Sequence, residues 1–178
     1  MILESESDTN LIEYFGMTKM YEDRIARAVT LFRSGYNCSQ SVVAAFADLY
    51  GFTEEQALRM SASFGGGIGR MRQTCGAACG MFLLAGLETG AVDGDDREGK
   101  SRNYALVQEL AEKFRAANGS LVCAELLRLR ADEKKNNPQA ESRTPAYYAS
   151  RPCLRMVECA ARLFAEFLEQ LHEDSAAR

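Results

Sequence analysis

Cys75-Gly-Ala-Ala-Cys79-Gly80 places two thiols directly after the glycine-rich run Gly65-Gly66-Gly67-Ile68-Gly69. Thr74 is a natural N-cap, so the pattern predicts a helix that begins at Cys75. There the unpaired N–H groups and the helix dipole favour an anion, and a thiolate is one. Cys79, four residues on, shares the helical face of Cys75 and can join its chemistry.

Three more cysteines fall at predicted helix starts. Asn37-Cys38-Ser39-Gln40 reads as a capping box, with Asn37 as N-cap and Gln40 reaching back. Ser120 is the next N-cap candidate and puts Cys123 in the first turn of a helix running through Leu126, Leu127 and Leu129. Pro152 suits an opening turn, and Cys153 follows it at once. Cys153 aligns at about 100° per residue with Val157, Ala160, Phe164, Leu168 and Leu171 and so faces the core. Cys159 is rotated about 120° from that line and is left out of the site.

Helix starts lower a thiol's pKa from about 8.5 to as low as about 3.5–7.5, and the thiolate is the form that attacks disulfides and binds soft metals. Three function classes follow if Cys38, Cys75, Cys123 and Cys153 converge. In the first, Cys75 attacks a disulfide or oxidised substrate, and Cys79 or another helix-start thiol resolves the mixed disulfide. Gly66, Gly67, Gly69, Gly76 and Gly80 then admit the substrate, and the loop N–H groups stabilise anionic sulfur. In the second, Cys38, Cys75, Cys123 and Cys153 ligate an iron–sulfur cluster or zinc, although no Cys-x-x-Cys pair occurs. In the third, the cysteines are small core residues of a non-enzymatic helical binding module.

Competing motifs are excluded by their spacing. The glycine run contains neither G-x-G-x-x-G nor G-x-x-x-x-G-K-[ST], and helix rather than strand precedes it. Arg70 and Arg72, just beyond it, either bind an anionic substrate or are solvated. No Cys-x-x-Cys-His occurs for haem attachment. The single His172 reads as a partner of a helix C-terminus.

The elements that must position these thiols are helical. Tyr21, Ile25, Ala28, Val29 and Phe32 form a stripe over residues 19–32, ended by Ser34-Gly35. Val42, Val43, Phe46 and Leu49 follow the first capping box, and Thr53-Glu54-Glu55-Gln56 repeats that signature before a short helix to Met60. The central helix runs from Cys75 to about Leu87. Asp95-Asp96 caps a longer helix with Val107, Leu110, Ala111 and Phe114 on its stripe, closed by Asn118-Gly119. Residues 131–150 are polar and aperiodic, a long loop that is either a lid carrying Tyr147 and Tyr148 or a solvated connection.

These elements predict an all-α fold, an irregular bundle of about six helices in a single domain over residues 18–172, with a poorly ordered segment at 1–17 and a tail at 173–178. The chain of 178 residues is 47% hydrophobic, enough for a sizeable core. Its formal net charge of −4, with no Lys/Arg cluster, gives no footprint for nucleic acid or an anionic membrane. No apolar run predicts membrane insertion, and the acidic, polar opening at Met1–Gly16 points to a cytoplasmic protein, where six cysteines are expected to be reduced, catalytic or metal-bound.

The element Cys75-Gly-Ala-x-x-Gly80, with Cys38 before it and Cys123 and Cys153 after it, resembles the C_GCAxxG_C_C family of proposed redox-active proteins, named for this cysteine pattern. The likeness spans roughly residues 20–170. It implies a small, mostly helical protein of thiol redox chemistry and carries over Cys38, Cys75, Cys123 and Cys153 as the functional cysteines. The expected partner is an unidentified redox protein or a small-molecule disulfide. Cys79 fills a variable position of the motif, and the 131–150 segment is longer than the pattern needs.

Overall fold

Several helix starts in this chain are set by local side-chain capping. A computed structural model describes residues 21–130 and 137–177. The expected N-terminal segment 1–17, residues 131–136 of the polar loop and the final residue of the tail lie outside the described residues. Asn37 caps α2 (Cys38–Phe46) with the full capping box: its side chain accepts from the Gln40 amide at 3.0 Å while the Gln40 side chain accepts from the Asn37 amide at 3.1 Å. Thr53 and Gln56 do the same for α3 (Glu54–Ser61). Asp96 caps α5 (Arg97–Asn118), which ends on Gly119 at φ +89°.

The bundle is built around α2 and α4 (Gly76–Thr89). Eight of the nine α2 residues are buried, because α2 is covered by α3, α4 and α8 (Cys153–Ala176). Gly80 of α4 lets the two helices touch: a Cβ there would stand 3.0 Å from both the Ser39 carbonyl and the Val42 Cβ. Helix α1 (residues 21–33) buries Tyr21, Ile25, Ala28 and Phe32, and its Arg24 binds the Ala45 carbonyl at 2.8 Å and Asp48 at 2.7 Å. Phe46 and Phe164 meet edge to face at 5.2 Å in the core, each contributing about 1.5–3 kcal/mol of burial. Among the described residues six helices reach seven residues or more, two short helices, α6 (Cys123–Leu126) and α7 (Pro145–Ser150), complete the set, and there is no strand. The all-α expectation stands. No helix of the described residues is long and apolar enough to cross a membrane.

Three local expectations fail for tertiary reasons. Thr74 does not cap α4: it forms an isolated antiparallel bridge with Val122, so Cys75 is itself the N-cap and Gly76 the first helical residue. Ser120 does not cap α6; Val122 does, held by its amide donating to the Ser120 hydroxyl at 2.9 Å, and the helix stops at Leu126. The polar segment is not all loop. Thr144, with Pro145 behind it, caps α7 by accepting from the Tyr147 amide at 3.2 Å.

Candidate functional site: a thiol cavity

The bridge between Thr74 and Val122 joins two cysteines by backbone. The Cys75 amide donates to the Leu121 carbonyl at 2.7 Å, and the Cys123 amide to the Gln73 carbonyl at 2.6 Å. The N-terminus of α2 comes up beside them, because Gly76 has no side chain: a Cβ there would lie 2.7 Å from the Phe64 carbonyl and 3.4 Å from the Cys38 Cβ. Cys153, first residue of α8, closes the ring. Cys38, Cys75, Cys123 and Cys153 thus line one cavity of about 420 Å³, a volume within the range of small-molecule sites.

The glycine run forms one wall as a left-handed turn. Gly66, Gly67, Ile68, Gly69 and Arg70 have φ between +55° and +73°, and Arg72 follows at +61°. Glycine takes this geometry freely, whereas the β-branched Ile68 and the two arginines are strained by it, at about 1–2 kcal/mol each. The turn holds itself together: the amides of Ile68, Gly69, Arg70, Arg72 and Gln73 donate to the carbonyls of Phe64, Ser63, Gly65, Gly66 and Gly67 at 2.7–3.3 Å. Within the run, the Ile68 and Gly69 N–H groups are therefore already used by the turn itself. Of the glycines expected at the substrate approach, Gly66, Gly67, Gly69 and Gly76 line the cavity, and Gly80 is instead the contact between α2 and α4.

Electrostatics separates the sulfurs. Burial pushes the Cys75 thiol up to about 12 although the Ala77 and Ala78 amides pull the other way. That reverses the expectation of Cys75 as the low-pKa nucleophile. Burial raises Cys123 as well, with a hydrogen bond from Arg72 opposing it. The Cys38 and Cys153 side chains act directly on each other. Donating to Cys153, together with burial, holds the Cys38 thiol far above its ordinary range. Cys153 moves down to about 7, because Cys38 donates to it and Arg151, Arg143 and Arg72 outweigh its burial. Cys153 is also the one thiol of the four that is not buried.

Two cysteines stand apart. Cys79 is not among the cavity-lining residues; its sulfur lies 3.8 Å from the Thr74 carbonyl and burial raises it to about 11, as for a small core residue. Cys159 contacts the Asn118 amide at 3.2 Å, also outside the cavity. Among the described residues no group of three or more His, Cys, Asp or Glu side chains is placed to hold a metal ion.

The remaining wall comes from the segment that the aperiodic sequence hid. Glu141, Arg143, Tyr147 and Arg151 all line the cavity. Glu141 accepts from Arg70 at 3.1 Å and from Arg151 at 2.6 Å, and forms an ion pair with Arg72 at 3.5 Å. Burial alone would raise its carboxyl, but the three guanidinium groups hold it below the usual carboxylate range. Arg70 also donates to the Asn137 carbonyl at 2.8 Å, and Tyr148 donates to the Phe32 and Arg33 carbonyls at 3.2 and 3.1 Å, which fastens the segment down at both ends. The Thr-Pro pair at 144–145 and the Arg-Pro-Cys run at 151–153 were the signals for it in the sequence.

Fold and site together define a class: a helical bundle whose helix starts gather thiols around a small arginine-bearing cavity. The family model described as "Putative redox-active protein (C_GCAxxG_C_C)" matches residues 36–167, and the chain belongs to that family. No match was found among curated proteins. None was found among solved structures.

Proposed function

We propose that the protein carries out two-electron thiol–disulfide exchange, with Cys153 as nucleophile and Cys38 as resolving thiol. The observation that carries this reading is the placement of Cys38 and Cys153 on one cavity, where a partly buried thiol held near pKa 7 lies beside a buried thiol that keeps its proton. At neutral pH about half of Cys153 is thiolate, and thiolate is the attacking form.

The Cys153 thiolate attacks one sulfur of a disulfide R–S–S–R. A Cys153–S–R bond forms, the S–S bond breaks, and the other half leaves as R–S⁻, which takes a proton from water. Cys38 then loses its proton to solvent and attacks the Cys153 sulfur. The Cys38–Cys153 disulfide forms and the second R–S⁻ departs. Two electrons pass from the protein's thiol pair to the substrate, and a dithiol reductant restores the pair by the reverse exchange.

Reduced protein mixed anaerobically with hydroxyethyl disulfide tests this by intact mass and peptide mapping. The expected products are a Cys38–Cys153 disulfide in the wild type, a trapped mixed disulfide on Cys153 in Cys38→Ser, and no fast adduct in Cys153→Ser. Wild-type kinetics in Cys153→Ser, or a mapped disulfide that excludes Cys38, would refute the assignment.

A further inference from the structure

The thiol cavity carries a charge that the chain as a whole does not. Among the described residues its lining contains four arginines, at 70, 72, 143 and 151, and a single carboxylate, Glu141, in a protein of net charge −4. Three of those arginines converge on Glu141 at 2.6–3.5 Å, so the cluster already holds one carboxylate in the geometry that guanidinium groups favour. The fourth has no such partner. The Arg143 guanidinium lies between the rings of Phe32 and Tyr147, 5.0 and 4.6 Å from their centroids, and reaches the Tyr36 carbonyl at 3.4 Å through Nη2. Its Nη1 is buried with no hydrogen-bond partner among the described residues. A buried charged donor left unsatisfied is costly, and a bound water, ion or anionic ligand would supply the missing acceptor.

We propose that this cavity recognises a small disulfide bearing carboxylates, with Arg143 and Arg151 holding a substrate carboxylate beside the Cys153 sulfur. The inference rests on the exchange reading for the disulfide and on the arginine geometry for the carboxylate. Among the described lining residues, a thiolate at Cys153 takes up one of three surplus positive charges, which leaves two for the substrate. The stacking of Arg143 fixes its guanidinium before the ligand arrives, so little freedom is lost on binding. The same positive surround steadies the negative charge that spreads over the reacting sulfurs during attack.

Calorimetry on the reduced full chain, under anaerobic conditions, isolates recognition from chemistry if the probe is thiodipropionate, a dicarboxylate whose thioether cannot exchange. Thiodiglycol is its neutral counterpart. Saturable binding of thiodipropionate is expected, at least about tenfold tighter than thiodiglycol and weakened by added salt; Arg143→Gln should weaken it about 10- to 100-fold, as loss of one charge-assisted hydrogen bond does. Arg151→Gln, checked for native unfolding behaviour, gives the same readout should Arg143→Gln fail to fold. Equal binding of the two probes, no saturable binding of thiodipropionate, or unchanged affinity in both folded variants would overturn the proposal. Single-turnover rates with dithiodipropionate, hydroxyethyl disulfide and cystamine, each divided by the rate of a free small thiol with the same disulfide, complete the test. Dicarboxylate binding without consumption of any disulfide would sink the exchange chemistry and keep the anion site. Exchange without charge order and without dicarboxylate binding would do the reverse.

Discussion

Replacing Cys38 by alanine removes the first of the contacts that hold Cys153 as a thiolate, and the rate of Cys153 with disulfides should then change in opposite directions at low and high pH. In the wild type Cys153 has moved from 9.0 to about 7, so about half of it is thiolate at pH 7. A full return to 9.0 would leave about 1% thiolate at that pH, a loss of about 50-fold. A more basic thiolate is a better nucleophile, and a Brønsted coefficient of about 0.4–0.5 gives back about six- to tenfold over that range. The net loss at pH 7 is therefore at most about five- to eightfold, because Arg151, Arg143 and Arg72 still act on the sulfur. Well above pH 9 the variant is the faster protein, and the two rate profiles cross near pH ~8. The assay is stopped-flow exchange with hydroxyethyl disulfide in a Cys159→Ser background, with the Cys153 adduct quantified by peptide mass. A variant that is slower by one constant factor at every pH would refute the hydrogen-bond account, since a purely structural loss does not make the profiles cross.

The depressed Cys153 pKa is also a statement about stability. Its contribution is fully present above the unfolded thiol's value of about 8.5 and is lost as pH falls through about 7, so the wild-type advantage over Cys153→Ser in urea unfolding should widen by about 1–2 kcal/mol between pH ~6 and pH ~9. A gap that is constant or widens toward acid would contradict this. Gly67→Ala should destabilise by about 2–4 kcal/mol, combining a left-handed φ of +73° with a Cβ placed 2.6 Å from the Cys123 Cβ and 2.9 Å from the Gln73 amide nitrogen. Gly51→Ala has the same left-handed backbone, φ +77°, with nothing within 4 Å, and should lose only about 1 kcal/mol in the same denaturant titration. Equal losses at the two positions would remove the clash from the explanation.

What the sequence makes legible here is local. The capping boxes at Asn37 and Thr53 and the Asp96 cap are readable because donor, acceptor and spacing all lie within four residues. The gathering of Cys38, Cys75, Cys123 and Cys153 into one cavity was legible as four helix starts plus a family pattern, and their roles within it were not. Thr74 illustrates the difference. Its side chain suits an N-cap, but its backbone is claimed by Val122, some fifty residues away, and no local signal announces that bridge. The left-handed turn is half legible: three of its five residues are glycines, while the strain at Ile68 and Arg70 is maintained by hydrogen bonds back to Phe64 and Gly65. Helix α7 escaped because six residues cannot show a helical period, although Thr144-Pro145 carries a helix-start signal.

Position at a helix start does not by itself select the reactive thiol. Such a position is worth about 0.3–1 kcal/mol, less than one pKa unit, whereas burial moves Cys75 from 9.0 to about 12. Desolvation therefore wins wherever a cysteine of this kind is fully enclosed, and Cys38, Cys75 and Cys123 are all buried and all raised. Cys153 escapes because one thiol donor and three guanidinium groups act on a cysteine that is not fully buried. Two of those guanidinium groups, at 143 and 151, stand in the stretch of polar sequence just before α8, which has no helical period of its own until α7. The cysteine pattern supplies the sulfurs and its small residues supply the room between them. The arginine-bearing segment adds its charge to the Cys38 contact in lowering Cys153, and under the exchange reading proposed above Cys153 is therefore the attacking sulfur and Cys38 the resolving one.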